Sequence, residues 1–241
     1  MTRRVMSMTP SDTPRHRDTE VIQWLSSLGA SLPRCVVTLA VAALMNASAA
    51  QAQDLALRGF GDIGGTRFAA TESFTAVLGS PSGVVYGGGV EVVLPQRVSV
   101  SLRASRFQKD GTRVFVFAGQ PIDLGIATTV KITPIEVTVA YRFPLADMRL
   151  VPYAGGGIGW HRYEETSDFA TDSENVKATH TGYHLLGGAE YRLTRWFGIG
   201  GEAEWSRVAD GLGQDPNSVS AAFNETNLGG VTFRVKAIVG R

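Results

Sequence analysis

The sequence predicts an all-β protein: a cleavable signal peptide followed by an eight-stranded antiparallel up-and-down transmembrane β-barrel. Three observations carry that prediction. Eight segments have an oily face and a polar face, the connections between them alternate between long and short, and residues of both charges recur on the polar faces. The clearest alternation comes last. Val231, Phe233, Val235, Ala237 and Val239 share one face, and Thr232, Arg234, Lys236 and Ile238 share the other. A period of two identifies a strand with two unlike sides.

The earlier segments repeat this build. Leu55–Phe68 is the first predicted strand, followed by a polar connection over 69–83. The second, Val84–Leu94, sets Tyr86, Gly88, Val90, Val92 and Leu94 on one face and ends at the tight turn Pro95-Gln96-Arg97. In the third, Val98–Gln108, Val98, Val100, Leu102 and Ala104 oppose Ser99, Ser101, Arg103 and Ser105. A long excursion over 109–129 holds Asp110-Gly111 and an extended hairpin around VFVF. Strand four, Val130–Phe143, has an apolar face of Ile135, Val137, Val139, Tyr141 and Phe143, and Pro134 predicts a bulge or a switch of facing. A short turn leads to strand five, Leu150–Tyr163, whose facing stays open. An acidic loop over 164–177 precedes strand six, Ala178–Leu193. Thr194-Arg195 turns into strand seven, Trp196–Val208, where Phe197, Ile199, Ala203 and Trp205 oppose Glu202, Glu204 and Ser206. A last loop, 209–226, reaches strand eight. No helical pattern of ten or more residues follows residue 52.

Alternating loop lengths fit a meander closed on itself, with both ends of the barrel domain at the short-turn side. Each apolar face covers about 9–11 residues, enough for a tilted strand to cross a bilayer. Closure is required there, because lipid offers no partner to an unpaired strand edge. The expected interface aromatics are Tyr141, Phe143, Tyr153, Tyr191, Trp196 and Phe197 by the short turns, with Tyr86, Tyr163, Tyr183 and Trp205 towards the long loops. Strand parity puts Arg58, Arg103, Arg142, Arg192, Arg234 and Lys236 inside, together with Asp62, Glu91, Glu136, Glu190, Glu202 and Glu204. Side chains just fill an eight-stranded barrel, and buried charges must pair. Six cations against six carboxylates therefore predict a lumen plugged by salt bridges.

Residues 1–52 read as an export signal, and 53–241 as the barrel domain. Arg3, Arg4, Arg15, Arg17 and Arg34 precede an apolar run, Cys35–Ala50, too short to span a bilayer as a helix. Ala50-Gln51-Ala52 then supplies an A-x-A cleavage pattern. The chain's one cysteine, Cys35, falls in this leader, so the barrel domain is expected to fold without disulfides. Five of the 23 Lys and Arg and three of the 22 Asp and Glu also fall there, leaving 18 against 19, a net of −1. That balance gives no basis for a nucleic-acid partner.

Candidate chemistry is sparse. Gly59-Phe60-Gly61-Asp62-Ile63-Gly64 matches G-x-G-x-x-G, but a dinucleotide site needs a strand before it and a helix after it, and here one strand continues. His180 and His184 share a face about 13 Å apart along a strand. Ser206, His184 and Glu204 form a conceivable nucleophile, base and orienter from neighbouring strands. The plainer expectation is that these polar groups fill the lumen. Asp168, Asp172, Glu174, Asp210 and Asp215 lie in long loops without the spacing of a calcium loop. No catalytic, cofactor-binding or metal-binding residue is assigned.

The motifs RGFGDIGG, VVYGGGVEVVL, VPYAGGGIGW and GYHLLGGAEYRLTRWFGIGGEAEW give the chain, over about 54–241, its resemblance to the small outer-membrane β-barrel proteins of Gram-negative-type bacteria, the OmpA/OmpX/OmpW-like porin-family barrel domain. The resemblance implies residence in the outer membrane and assembly by the outer-membrane insertion machinery, which reads the final strand. Val239-Gly240-Arg241 departs from the family's usual terminal Phe or Trp. The expected partners are the lipid bilayer and, at the long loops, lipopolysaccharide or divalent cations. The expected role is structural or surface-interacting, without enzymatic activity. A narrow channel or a conduit for small hydrophobic solutes, with Phe107 and Ile158 in an apolar upper lumen, is the alternative; a lipid-modifying enzyme and a lipocalin-like carrier rank below it.

Overall fold

Eight two-faced strands bury one face and complete every ladder only by closing on themselves, and the computed structural model shows that closure. It describes residues 55–117, 120–143, 145, 149–167, 176–212 and 218–240. The predicted leader and the loop residues Asp168, Asp172, Glu174 and Asp215 lie outside the described residues. The strands are β1 (Ala56–Phe68), β2 (Ser82–Val93), β3 (Val98–Phe117), β4 (Gln120–Arg142), β5 (Leu150–Ser167), β6 (Val176–Arg192), β7 (Phe197–Arg207) and β8 (Gly230–Gly240). Each pairs antiparallel with the next, and β8 returns to β1 with Asp62 opposite Lys236.

One local expectation is corrected. Pro134 causes neither a bulge nor a switch of facing: Ala104 opposes Ile135 and Phe107 opposes Ile132 in one unbroken register, while Ile132 and Glu136 both point inward. Proline lacks one N–H, and here the pairing is skipped only at Ser105 and Arg106, while the ladder to β5 runs on through Pro134 opposite His161. The register shift falls instead between Thr112 and Val114, where β3 and β4 extend past the barrel body as the hairpin expected around VFVF.

Both connections on either side of the β1–β8 pair carry short helices that the polarity of the sequence conceals. In the first, α1 (Thr71–Leu78) turns Phe74 and Leu78, four residues apart and so on one face, onto buried apolar residues. Gly79 ends it in the left-handed conformation (φ 71°), its N–H donating to Thr75 O at 2.9 Å. At its start Ala70 supplies no side-chain cap. Glu225 does so from the far loop, accepting from Glu72 N at 3.1 Å and Ser73 N at 2.8 Å. Ser218 caps the one-turn α2 (Val219–Ala222) by accepting from Ala221 N.

Burial is inverted relative to a water-soluble protein. Outward positions such as Leu57, Ile63, Leu185, Phe233 and Val235 are exposed, while Arg58, Arg103, Glu136, Glu202 and Arg234 are buried. An apolar exterior on every strand far exceeds the patches a monomer tolerates in water. It is a lipid-facing surface.

Candidate functional site: the barrel lumen

Strand parity sends every second side chain inward, and the series along β4 shows how the lumen is layered. From the long-loop end to the short-turn end it reads Thr128, Val130, Ile132, Pro134, Glu136, Thr138, Ala140 and Arg142. The upper part is mainly apolar and the lower part is polar and charged.

The lowest charged group joins β1, β2, β4 and β6. Arg58 Nη1 donates to Glu190 Oε2 at 2.9 Å and Oε1 at 3.1 Å, and Arg142 Nη2 donates to the same carboxylate. Arg142 also reaches Glu91 Oε1 at 3.4 Å. Arg192 lies at the rim, its side chain 41 % exposed and its Nε 3.6 Å from Glu190.

The middle group centres on Arg103. Its guanidinium faces four carboxylates: Asp62 at 3.3 Å, Glu136 at 3.9 Å, Glu204 at 3.1 Å and Glu202 in direct hydrogen bond. Arg234 donates to Glu204 at 2.7 Å and 3.3 Å, and Lys236 donates to Glu202 at 3.1 Å. Arg103, Arg234, Asp62, Glu202 and Glu204 each face more than one opposite charge, while Glu136 and Lys236 each face one, so every buried ion here has a partner, the condition under which burial is tolerated. Phe60 lies beneath these cations, 4.4 Å from Lys236 Nζ and 5.4 Å from Arg103 Cζ to its ring centroid.

Glycine makes the room. A Cβ on Gly188 would lie 2.7 Å from Tyr153 Oη, and one on Gly89 would lie 2.8 Å from Phe60 Cζ. All twelve charged residues named from the sequence face the lumen, although Arg192 reaches the solvent at its rim.

The aromatics divide. Tyr86, Tyr141, Phe143, Tyr183, Tyr191, Trp196, Phe197 and Trp205 are exposed on the outer face. Tyr183 and Tyr191 stand eight residues apart on β6, about 26 Å of strand, which a tilt of about 40° shortens to roughly 20 Å. Tyr153 and Tyr163 are corrected: both point inward, Tyr153 only 8 % exposed and donating to Glu202 Oε2 at 3.0 Å, Tyr163 donating to Glu165 Oε2 at 2.9 Å. On β5 the odd-numbered residues are the inward ones, so Ile158 faces outward and lines no lumen, while Phe107 is buried inside. The run of glycines in β5 hides this parity, because glycine has no side chain to mark a face.

The conceivable nucleophile, base and orienter are each engaged elsewhere, in line with lumen-filling polar groups. Ser206 lies opposite His184 in register, yet its Oγ accepts from Gly230 N at 3.2 Å and donates to Gly230 O at 3.5 Å. His184 Nε2 shares its hydrogen bond with Thr138 Oγ1 at 2.8 Å, and Glu204 is engaged by Arg103 and Arg234. The glycine motif at Gly59–Gly64 is continuous strand paired on both sides. Among the described residues no cluster of His, Cys, Asp and Glu has the arrangement of a metal site.

What parity alone does not reveal is the seal above these charges. Phe68, Ala70, Phe74, Leu78, Phe107, Val130, Ile132, Val208, Leu212 and Leu228 form one buried apolar cluster. Phe68 stacks on Phe74 at 4.3 Å between ring centroids and meets Phe107 edge-on at 4.9 Å. Its sequence signal was the i, i+4 pair Phe74 and Leu78 ahead of Gly79.

A closed meander with a lipid-facing exterior and a filled, charged lumen defines a small membrane-spanning barrel. The family model for the outer membrane protein beta-barrel domain matches residues 37–234, and the chain belongs to that family. No curated protein matches the chain as a relative. Among solved structures, neisserial surface protein A is similar at 12% identity, over 77% of this chain and 96% of that one, with a TM-score of 0.52. The N-terminal barrel of Pseudomonas aeruginosa OprF matches at 14% identity over 77% and 97%, with a TM-score of 0.45. Ail of Yersinia pestis, solved with sucrose octasulfate, matches at 10% identity over 77% and 97%, with a TM-score of 0.42. Only the first of these likenesses carries weight, and what it carries is the fold.

Proposed function

We propose that the protein is a non-enzymatic, non-conducting barrel of the outer membrane, exported by residues 1–52 and acting as a structural and surface-interaction component. One observation carries this reading: the charges of the lower lumen are neutralised by one another across strands, and an apolar cluster covers them on the long-loop side. A hydrated ion entering from that side meets first a hydrocarbon layer and then charges already paired, so neither part offers it a water path. The long loops are the partner-facing surface, and lipopolysaccharide bridged by divalent cations is the partner their acidic residues fit.

The test is conductance of the refolded protein in a planar bilayer, with a heat-dependent gel shift on the same sample to show that the barrel has formed. Inserted, folded and silent protein supports the closed lumen. Steady discrete steps overturn it in favour of a narrow channel.

A further inference from the structure

Above the seal, the long-loop end holds a cavity of about 470 Å³ between α1, α2 and the upper ends of β4, β5 and β6. That volume lies within the roughly 300–1,000 Å³ of small-molecule sites. Phe74, Leu78, Val130 and Leu212 give it hydrocarbon walls.

Two polar groups stand out in this lining, which His180, Ser218 and Ser220 share. Ser73 is only 6 % exposed, and its Oγ has no hydrogen-bond partner among the described residues. Glu225 fixes it there by binding the first amides of α1, Ser73 N included. A buried hydroxyl left unpaired is unfavourable by about 1–3 kcal/mol. Glu165 is the second. Its Oε2 accepts from Tyr163 Oη at 2.9 Å, and it forms no ion pair among the described residues. The middle and lower lumen is different, because each carboxylate there faces at least one cation. A carboxylate only accepts hydrogen bonds, so a group that donates them and carries positive charge answers Glu165. Tyr163 and Phe74 add aromatic walls that suit a cation.

We infer that this cavity binds a small apolar molecule carrying one ammonium group, its hydrocarbon body against Phe74, Leu78, Val130 and Leu212 and its head on Glu165, with the Ser73 hydroxyl as a further acceptor. The site goes beyond the proposed surface role and does not depend on whether the lumen conducts, since it lies on the loop side of the seal.

The test uses the full chain refolded in lipid nanodiscs and three probes of equal length: n-hexylammonium, n-hexanol and n-hexanoate. Calorimetric titrations are corrected with empty nanodiscs. Saturable binding of hexylammonium at least tenfold tighter than hexanoate is expected. Glu165→Gln should lower that preference about tenfold without abolishing hexanol binding, and Val130→Trp should fill the cavity and remove binding of all three. The heat-dependent gel shift of each variant shows that the barrel is intact. The inference is overturned if no probe binds saturably, if hexanol alone binds, if hexylammonium and hexanoate bind alike, or if neither substitution changes binding. The conductance test of the closed lumen is read separately, so failure of either idea leaves the other standing.

Discussion

The lower and upper halves of the lumen are built from the same strands yet are closed by opposite means. Below, long charged side chains reach across the barrel and pair: Arg103 alone faces four carboxylates contributed by β1, β4 and β7. Above, phenylalanines and aliphatic residues from the strand ends meet a helix and a loop, with Phe68 stacked on Phe74. The difference teaches where cooperativity resides. The charged half ties distant strands to one another and cannot loosen without the barrel. The apolar half joins loops to strand residues and is expected to open locally before the barrel does.

Removing one partner from the charged half should therefore have the largest effect. Arg103→Met leaves Asp62, Glu136, Glu202 and Glu204 facing each other with less compensation, and a loss of about 3–5 kcal/mol is expected, measured by urea unfolding of the refolded barrel. An unchanged midpoint would show that the network contributes little and that the two halves do not differ. On the outer face, Val137 pairs with Leu102 and Ile158 near the middle of the apolar band. Val137→Arg should lose about 2–4 kcal/mol and reduce insertion into vesicles, with the lumen untouched.

In the upper half the expectation reverses. Phe74→Ala should leave the barrel's urea midpoint nearly unchanged if the cluster opens locally, ahead of the barrel, while cleavage of the connection at 69–81 by added protease increases about tenfold or more. A large shift of the midpoint would instead join the two halves into one unit. The smallest effect is expected at the clasp between loops. Glu225→Gln weakens charge-assisted bonds to Glu72 N and Ser73 N, worth about 1.5 kcal/mol, so those two amides should exchange hydrogen about tenfold faster with barrel amides unaffected.

Much of this is legible in the sequence alone. Alternation in β8 and β7 places Arg234, Lys236, Glu202 and Glu204 on one side, and each does face the lumen. Legibility ends where the alternation lacks side chains or where structure is held from afar. In β5, Gly155, Gly157 and Gly159 give no contrast between faces, so Tyr153 and Tyr163 read as interface aromatics and Ile158 as a lumen residue. The segment Thr71–Leu78 is short and polar at its start, and its cap comes from Glu225, about 150 residues along the chain (|i−j| 152 to Ser73). No local window contains both.

By itself, the sequence determined the number of strands, their order, their inward faces where side chains alternate, and the match of opposite charges, because a period of two and the prohibition on unpaired edges in lipid are local rules applied eight times. Only the tertiary structure decided which carboxylate meets which cation, how the upper lumen is sealed, and that a cavity beneath the loops is lined by a carboxylate with no cation and a hydroxyl with no partner among the described residues. Those depend on the register in which β8 meets β1 and on contacts between loops far apart in the chain, which closure of the barrel alone brings within reach of one another.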